Sequence, residues 1–429
     1  MRTFVLFLAL ASAVPAVSLA QSSQADAAAR AIDRQTQEIL PQVVAWRRDF
    51  HQHPELGMQE VRTSKIIADH LRGLGMDVRT GIAGTGVVGI LTGAKPGKVV
   101  ALRADMDGLP VTEQVDVPFK STAKAMWNGQ ETGVMHACGH DNHMAILMGT
   151  ATILARMRNE LSGTVKFIFQ PAEEGPGGAE PMVKAGIMDD PKVDAVFGLH
   201  VFPFTAGTIV YRSGPLMASA DEFTIEITGR QTHGAVPWGG VDPIVIGAQI
   251  VTSLQSIVSR SVNIAQAPAV VTVGKFAAGN RSNIIPDKAE LVGTVRAFDE
   301  GERAKIRQRI TDIATKYAEA AGATAKVDFG LGYPVTRNDP ALTAQMVPTL
   351  ERVAGPGKAI VGPLTGTAED FSYFQQEAPG LFFFLGVTPP GQEAGAAQNH
   401  SPLFFADESA LPVGVRALTS LTVDYLRAQ

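Results

Sequence analysis

Several apolar segments of this chain run directly into side chains that bind metals, and no other feature restricts its fold as strongly. "LRADMDGLP" carries Asp105 and Asp107 at the end of a strand begun at Val99, and "FIFQPAEEGPGG" places Glu173 and Glu174 where a second strand stops. "AVFGLHVFP" puts His200 at the end of a third, and "QNHSPLFF" puts His400 after a fourth, over 381–387. "MHACGHDNHM" adds Cys138 and His140 just before a helix, with three of the nine histidines and the only cysteine of the 429 residues. In an open α/β sheet, ligands bind outside the carboxyl ends of the strands. The pattern therefore predicts such a sheet with one convergent site.

Periodicity agrees. Helical spacing covers 26–50, 63–73, 145–157, 342–353 and 412–426, and short apolar runs over 84–91, 98–102, 165–169, 193–199 and 381–387 read as strands. The middle of the chain changes character. Strand 222–228, helix 243–258, strands 270–276 and 289–296, helix 302–321 and strand 324–329 follow in βαββαβ order, the split pattern of a ferredoxin-like sandwich. In the second of those helices Ile306, Ile310, Ile313, Ala314 and Tyr317 share one side. The expected fold class is α/β with two domains: a catalytic α/β domain over 21–216 and 332–429, interrupted by a ferredoxin-like α+β domain over 217–331.

Residues 1–20 read as a secretory leader. Arg2 supplies the charged start, 4–17 the apolar run, and Ser18-Leu19-Ala20 a small-x-small cleavage site. The expected mature protein is exported, to a periplasm or to the medium, with no membrane span. Export sharpens the question of Cys138, since a lone cysteine forms no disulfide within its own chain. It is a buried small residue, an intermolecular bridge or a ligand. A net charge of -5 without a long basic run argues against nucleic acid as the partner.

Taken singly, these residues have plain readings. His200 or His400 alone is a core or loop histidine, Glu173-Glu174 a solvated pair, and Asp105 a turn cap. His51, His53 and His70 keep that reading, and His136 and His143 are assigned structural roles behind the ligands. The joint pattern is what favours a metal site.

The chain resembles the metal-dependent amidohydrolases that include hippurate hydrolase, N-acyl-amino-acid amidohydrolases and the plant auxin-conjugate hydrolases, within the aminoacylase–carboxypeptidase superfamily. The resemblance is carried in order by "RRDFHQHPELG", "LRADMDGLPV", "MHACGHDNHMA", "FQPAEEGPGGA", "GLHVFP", "THGAVPW", "RSNIIPD", "GTVRAF", "GTAEDFSYF" and "NHSPLF". It implies a zinc-exopeptidase-like catalytic domain with an inserted lid or dimerisation domain. It implies two divalent ions per subunit held by Cys138, His140, Glu174, His200 and His400, with Cys138 bridging as a thiolate. Zinc suits this mixed ligand set, with manganese or cobalt as alternatives. Asp105 would orient a ligand, and Arg103 stands where broader relatives place a ligand histidine. Glu173 would be the general base, His233 the donor to the developing oxyanion, often from a neighbouring subunit, and Asn283, Arg296, Gly366 and Thr367 would contact substrate.

The implied activity is hydrolysis of the amide of an N-acyl or N-aroyl amino acid, in a dimer or larger homo-oligomer. A dipeptidase or carboxypeptidase acting on short peptides is the alternative within the enzyme class. A periplasmic solute-binding protein also has a leader and two lobes, but it needs neither a dimetal ligand set nor a spare glutamate.

Overall fold

The computed structural model describes residues 16–428, with side chains described from residue 27. Most of the expected leader, 1–20, lies outside the described residues. The larger body begins with α1 (Ala16–Gln52), α2 (Val61–Gly73), β1 (Asp77–Ile82), β2 (Gly86–Thr92) and β3 (Lys95–Asp105). It continues through α3 (His140–Arg156), β4 (Ser162–Gln170), β5 (Ala195–Thr205) and β6 (Ile209–Tyr211). A second body holds β7 (Asp221–Thr228), α4 (Pro243–Ser256), β8 (Ala269–Ala278), β9 (Lys288–Ala297), α5 (Glu300–Ala320) and β10 (Thr324–Phe329). The chain then returns to the first body with α6 (Pro340–Ala354), β11 (Ala359–Val361), β12 (Gly380–Thr388) and α7 (Leu411–Arg427).

The first body is an eight-stranded sheet in the order β1-β2-β4-β3-β5-β12-β6-β11. Its centre is parallel: β3 pairs with β4 and β5, and β5 with β12. Alternate side chains enter two separate cores. Leu102 and Ala104 join the layer of α1, α3 and α7, whereas Ala101, Ile168 and Phe382 face the opposite layer. Burial on both faces explains why these strands read as continuous apolar runs. The parallel strands deliver their carboxyl ends to one edge.

The second body has its own four-stranded antiparallel sheet, β8-β9-β7-β10, with α4 and α5 packed on it around Phe223, Leu291, Ile250 and Ile310. Tyr317 is 41% exposed and outside that core; Ala318, one position further on, takes the buried place on α5. The helical stripe is thus displaced from the one the sequence suggests.

Three boundaries differ in ways that matter for the site. Helix α3 starts at His140 rather than near residue 145. Gly139 makes that start possible with φ +90, and an added Cβ there would lie 2.3 Å from Val201 Cγ2. Strand β5 runs on to Thr205, so His200 sits inside the strand instead of at its end; β12 pairs with it along that extension. The strand β1 is absent from the sequence reading because its residues are mostly exposed and lack apolar alternation.

Candidate metal centre and cavity

Cys138, on the loop before α3, is the hub of the site. Its Sγ lies 3.4 Å from His200 Nε2 and 3.2 Å from His400 Nε2. Cys138, His140 and His200 form one compact donor triad, and Cys138, Glu174 and His400 form another. The sulfur is common to both. His140 Nε2 is 4.0 Å from Glu174 Oε1, and that oxygen is 2.8 Å from His400 Nε2 without hydrogen-bond alignment. Both His140 Nε2 and Glu174 Oε1 are buried without a hydrogen-bond partner, which an ordinary polar cluster seldom tolerates. The five residues assigned as ligands therefore meet at one place, although they come from a loop, a helix start, a strand interior and two turns.

The surrounding hydrogen bonds decide which ring nitrogens are free. His140 Nδ1 donates to the carbonyl of Asp107 at 2.9 Å, and His200 Nδ1 donates to the carbonyl of Val201 at 2.7 Å. A carbonyl only accepts, so Nδ1 carries a proton in each ring, and in the neutral ring Nε2 is the lone-pair nitrogen, facing the cluster. His143 accepts the Val201 amide at Nε2, so its Nδ1 carries the proton donated to Asp105 at 2.6 Å. Asp105 is fully buried behind the donors, with Arg103 Nη1 at 2.8 Å. Arg103 also reaches Gln170, Glu369 and Asp370, and makes no approach to the donor triads.

Electrostatics favours cations here. Burial first, then the charges of Glu174 and Glu173, push the Cys138 thiol well above its ordinary range. A divalent ion beside the sulfur reverses that sign and favours the thiolate. Burial opposes a charge on His140, but Asp105, Asp107 and Glu174 outweigh it and raise its pKa to about 10. Burial keeps His200 neutral. Glu173 is pushed well up by burial and then by Glu369, Glu174 and Asp370. Protons thus stand in for missing positive charge, and the donor set fits two divalent ions in both ligand type and orphaned atoms.

A cavity of about 640 Å³ opens over the cluster, within the usual range for small-molecule sites. Cys138, Glu173, Glu174, His200 and His400 form its floor. Phe202, Met217 and Leu331 give an apolar wall, and Glu222 and Arg296 reach in from the second body. Among the described residues Arg296 makes no side-chain pairing, only a long contact to the Val295 carbonyl, so its guanidinium is available there. Thr367 lines the cavity; Gly366 is exposed beside it. His233 and Asn283 are exposed on the second body and do not line this cavity. They are neighbours, since the Gly234 amide donates to the Asn283 carbonyl at 2.8 Å.

His51, His53, His70 and His136 stay outside the donor triads. His51 bridges buried Asp141 and Glu113, His70 packs on Trp46, and His136 is buried with its pKa lowered to about 4 by desolvation. Sequence reasoning missed Asn399, which donates to the carbonyls of Cys138 and Val201, and Tyr333, whose hydroxyl donates to the Glu173 carbonyl at 2.8 Å. Asn399 stands next to His400 in a quoted motif; Tyr333 carries no signal in the sequence.

A site of this composition, at the carboxyl edge of a mixed α/β sheet, defines a metal-dependent hydrolase. The chain belongs to peptidase family M20/M25/M40, whose profile matches residues 101–424. It is 42% identical over 393 residues to a thermostable carboxypeptidase of Saccharolobus solfataricus, covering 90% of this chain and 96% of that one. It is 44% identical over 311 residues to an N-acyl-L-amino acid amidohydrolase of Geobacillus stearothermophilus, covering 72% and 81%. Its fold matches a dinuclear metal binding peptidase of the M20 family from Bacillus subtilis, with TM-score 0.77 and 35% identity over 92% of this chain and all of that one.

Proposed function

We propose that this protein hydrolyses the amide bond of N-acyl or N-aroyl amino acids to a carboxylate and a free amino acid. The observation that carries the reading is Glu173. Its carboxylate lines the cavity, makes no hydrogen bond among the described residues, and belongs to neither of the two triads that share Cys138, although it comes near His140 and Glu174 on one side and Glu369 and Asp370 on the other. Two adjacent carboxylates thereby take different tasks: Glu174 binds metal and Glu173 remains free.

Cys138, His140, Glu174, His200 and His400 would hold two divalent ions, zinc by preference and manganese or cobalt as alternatives. Such ions lower the pKa of water and polarise an amide carbonyl. Glu173 takes the proton of the attacking water on its carboxylate and passes it to the leaving amine nitrogen. Its burial raises its affinity for that proton. Arg296 pairs with the substrate carboxylate through its fork of donors. Gly366 and Thr367 offer backbone donors at the rim, and Asp105 orients His143, whose Nδ1 proton it accepts, and lies 3.6 Å from His140 Nε2.

Residues 217–331 act in this reading as a lid and dimerisation module. His233 and Asn283, exposed together and away from their own cavity, serve the site of a neighbouring copy, where His233 donates to the carbonyl oxygen as it gains negative charge. The leader directs export, to a periplasm or beyond the cell.

A second reading, a carboxypeptidase or dipeptidase on short peptides, is favoured by the likeness to the Saccharolobus solfataricus enzyme and by Glu222 in the cavity, which suits a substrate ammonium group. Amine release from hippurate-type, N-acetyl and indoleacetyl amino acids beside dipeptides separates the two. The leading reading expects the acyl amino acids to have the higher kcat/KM; faster turnover of dipeptides overturns it. Glu173→Gln is expected to keep its metal and lose at least about a hundredfold in kcat. Wild-type turnover in that variant removes Glu173 from its role.

A further inference from the structure

The two linkers that carry the second body meet at Tyr333. One runs over 218–220 into β7, and the other runs over 330–335 out of β10. They pair where they meet: the Ala220 amide donates to the Tyr333 carbonyl at 2.9 Å, and the Tyr333 amide donates to the Ala220 carbonyl at 2.7 Å. The neighbouring Ser219 amide donates to the Ala297 carbonyl at 2.7 Å, one residue beyond Arg296, which reaches into the cavity. The Tyr333 side chain reaches the first body. Its hydroxyl donates to the Glu173 carbonyl at 2.8 Å, and the residue lines the cavity. Gly177 makes room for this approach: it has φ +76, and a Cβ there would lie 3.0 Å from Leu331 Cδ2 and 3.4 Å from Tyr333 Oη. The amides of Ala172, Glu173 and Glu174 are accepted by Glu60 and Asp107, both of the first body. The Glu173 carbonyl is held from the linker instead.

We propose that Tyr333 is a positioning residue for the general base. It ties the meeting point of the two linkers to the Glu173–Glu174 peptide, so that the substrate wall carried by the second body and the carboxylate of Glu173 keep one spacing. That peptide is planar, and it is gripped on both edges: its N–H by Asp107 and its C=O by Tyr333. With the hydroxyl in place the plane does not tilt, and the direction in which Glu173 leaves the backbone is fixed. The hydroxyl takes no proton and meets no reacting atom; its effect passes through Glu173. Tyr373 steadies the same linker from another side, since its hydroxyl donates to the Gly332 carbonyl at 2.7 Å and its ring packs edge-on against that of Tyr333, with centroids 6.4 Å apart. The inference rests on the proposed roles of Glu173 as base and Arg296 as the contact for the substrate carboxylate.

The test removes one oxygen. Tyr333→Phe keeps the ring and the backbone pairing with Ala220, and loses the bond to Glu173. In amide hydrolysis by the full chain with its metals, kcat is expected to fall about tenfold, the worth of one hydrogen bond of ordinary net strength. KM is expected to stay within about twofold of wild type, because the bond acts on the base and not on substrate binding. Tyr373→Phe is the control. It takes a bond of similar length from the same linker without touching the turn, so it lowers the thermal midpoint and leaves kcat unchanged. A cycle with Glu173→Gln reads the coupling itself: adding Tyr333→Phe to that variant should lower kcat by less than about twofold, since the base it positions is already gone. An unchanged kcat in Tyr333→Phe, an equal fall in Tyr373→Phe, or losses that multiply in full in the double variant overturns the inference alone. Wild-type turnover in Glu173→Gln overturns the assigned base and this inference with it.

Discussion

At the scale of single residues, buried charge is the theme. Glu60 is fully buried, accepts from Thr85 Oγ1 at 2.6 Å, and has its pKa raised to about 7, first by desolvation and then by the charge of Asp107. A folded-state pKa above the unfolded value means that the proton stabilises the fold. That contribution is complete below the ordinary glutamate range and is lost as pH rises through about 7. Glu60→Gln keeps a polar group of the same shape without the charge. Its thermal midpoint relative to wild type should therefore rise between pH 5 and pH 8, with a ceiling on the order of 3 kcal/mol. Parallel melting curves for the two proteins across that range would contradict the assignment. The residues of the donor cluster were legible in the sequence as candidates because their types are chemically distinctive. Glu60, Asn399 and Tyr333 act through backbone groups of residues far away in the chain, and no local pattern encodes such a bond.

At the scale of elements, close approach decides. Gly198 sits in β5 two residues before His200, and an added Cβ would lie 2.8 Å from Phe371 Cε2 and 2.9 Å from Phe382 Cδ2. Gly198→Ala should cost about 1–3 kcal/mol, read as a lower midpoint in urea unfolding; an unchanged midpoint would show that the two rings give way freely. The strand was readable from "AVFGLHVFP", but its glycine was not, because the reason for it lies in rings brought from after the insert. The central strands and the βαββαβ order were readable because apolar runs and helical stripes are local. The start of α3 was not, since Gly139 rather than an apolar period fixes it. The exposed strand β1 offered no period at all.

At the scale of the whole molecule, the second body exposes several large apolar side chains, the kind of surface that can mark an interface. Trp238 is 81% exposed, Ile264 61%, Val270 56% and Val245 53%. Val270 lies on β8, an unpaired edge of its sheet, the kind of strand that invites pairing with another chain. Sedimentation velocity should find a dimer or larger assembly. Val245→Asp combined with Val270→Lys should shift it towards monomer and lower turnover, as His233 leaves the neighbouring site; a monomer with full activity would contradict this. The central claim is that Cys138, which belongs to both donor triads, would help hold two divalent ions, and the direct measurement is metal content and amide turnover of wild type and Cys138→Ala purified side by side. The account predicts two ions per chain in the wild type, fewer than two in the variant, and turnover lost with them. A variant that retains both ions, or a wild type that keeps its full rate after its metal is stripped by chelation, would contradict it.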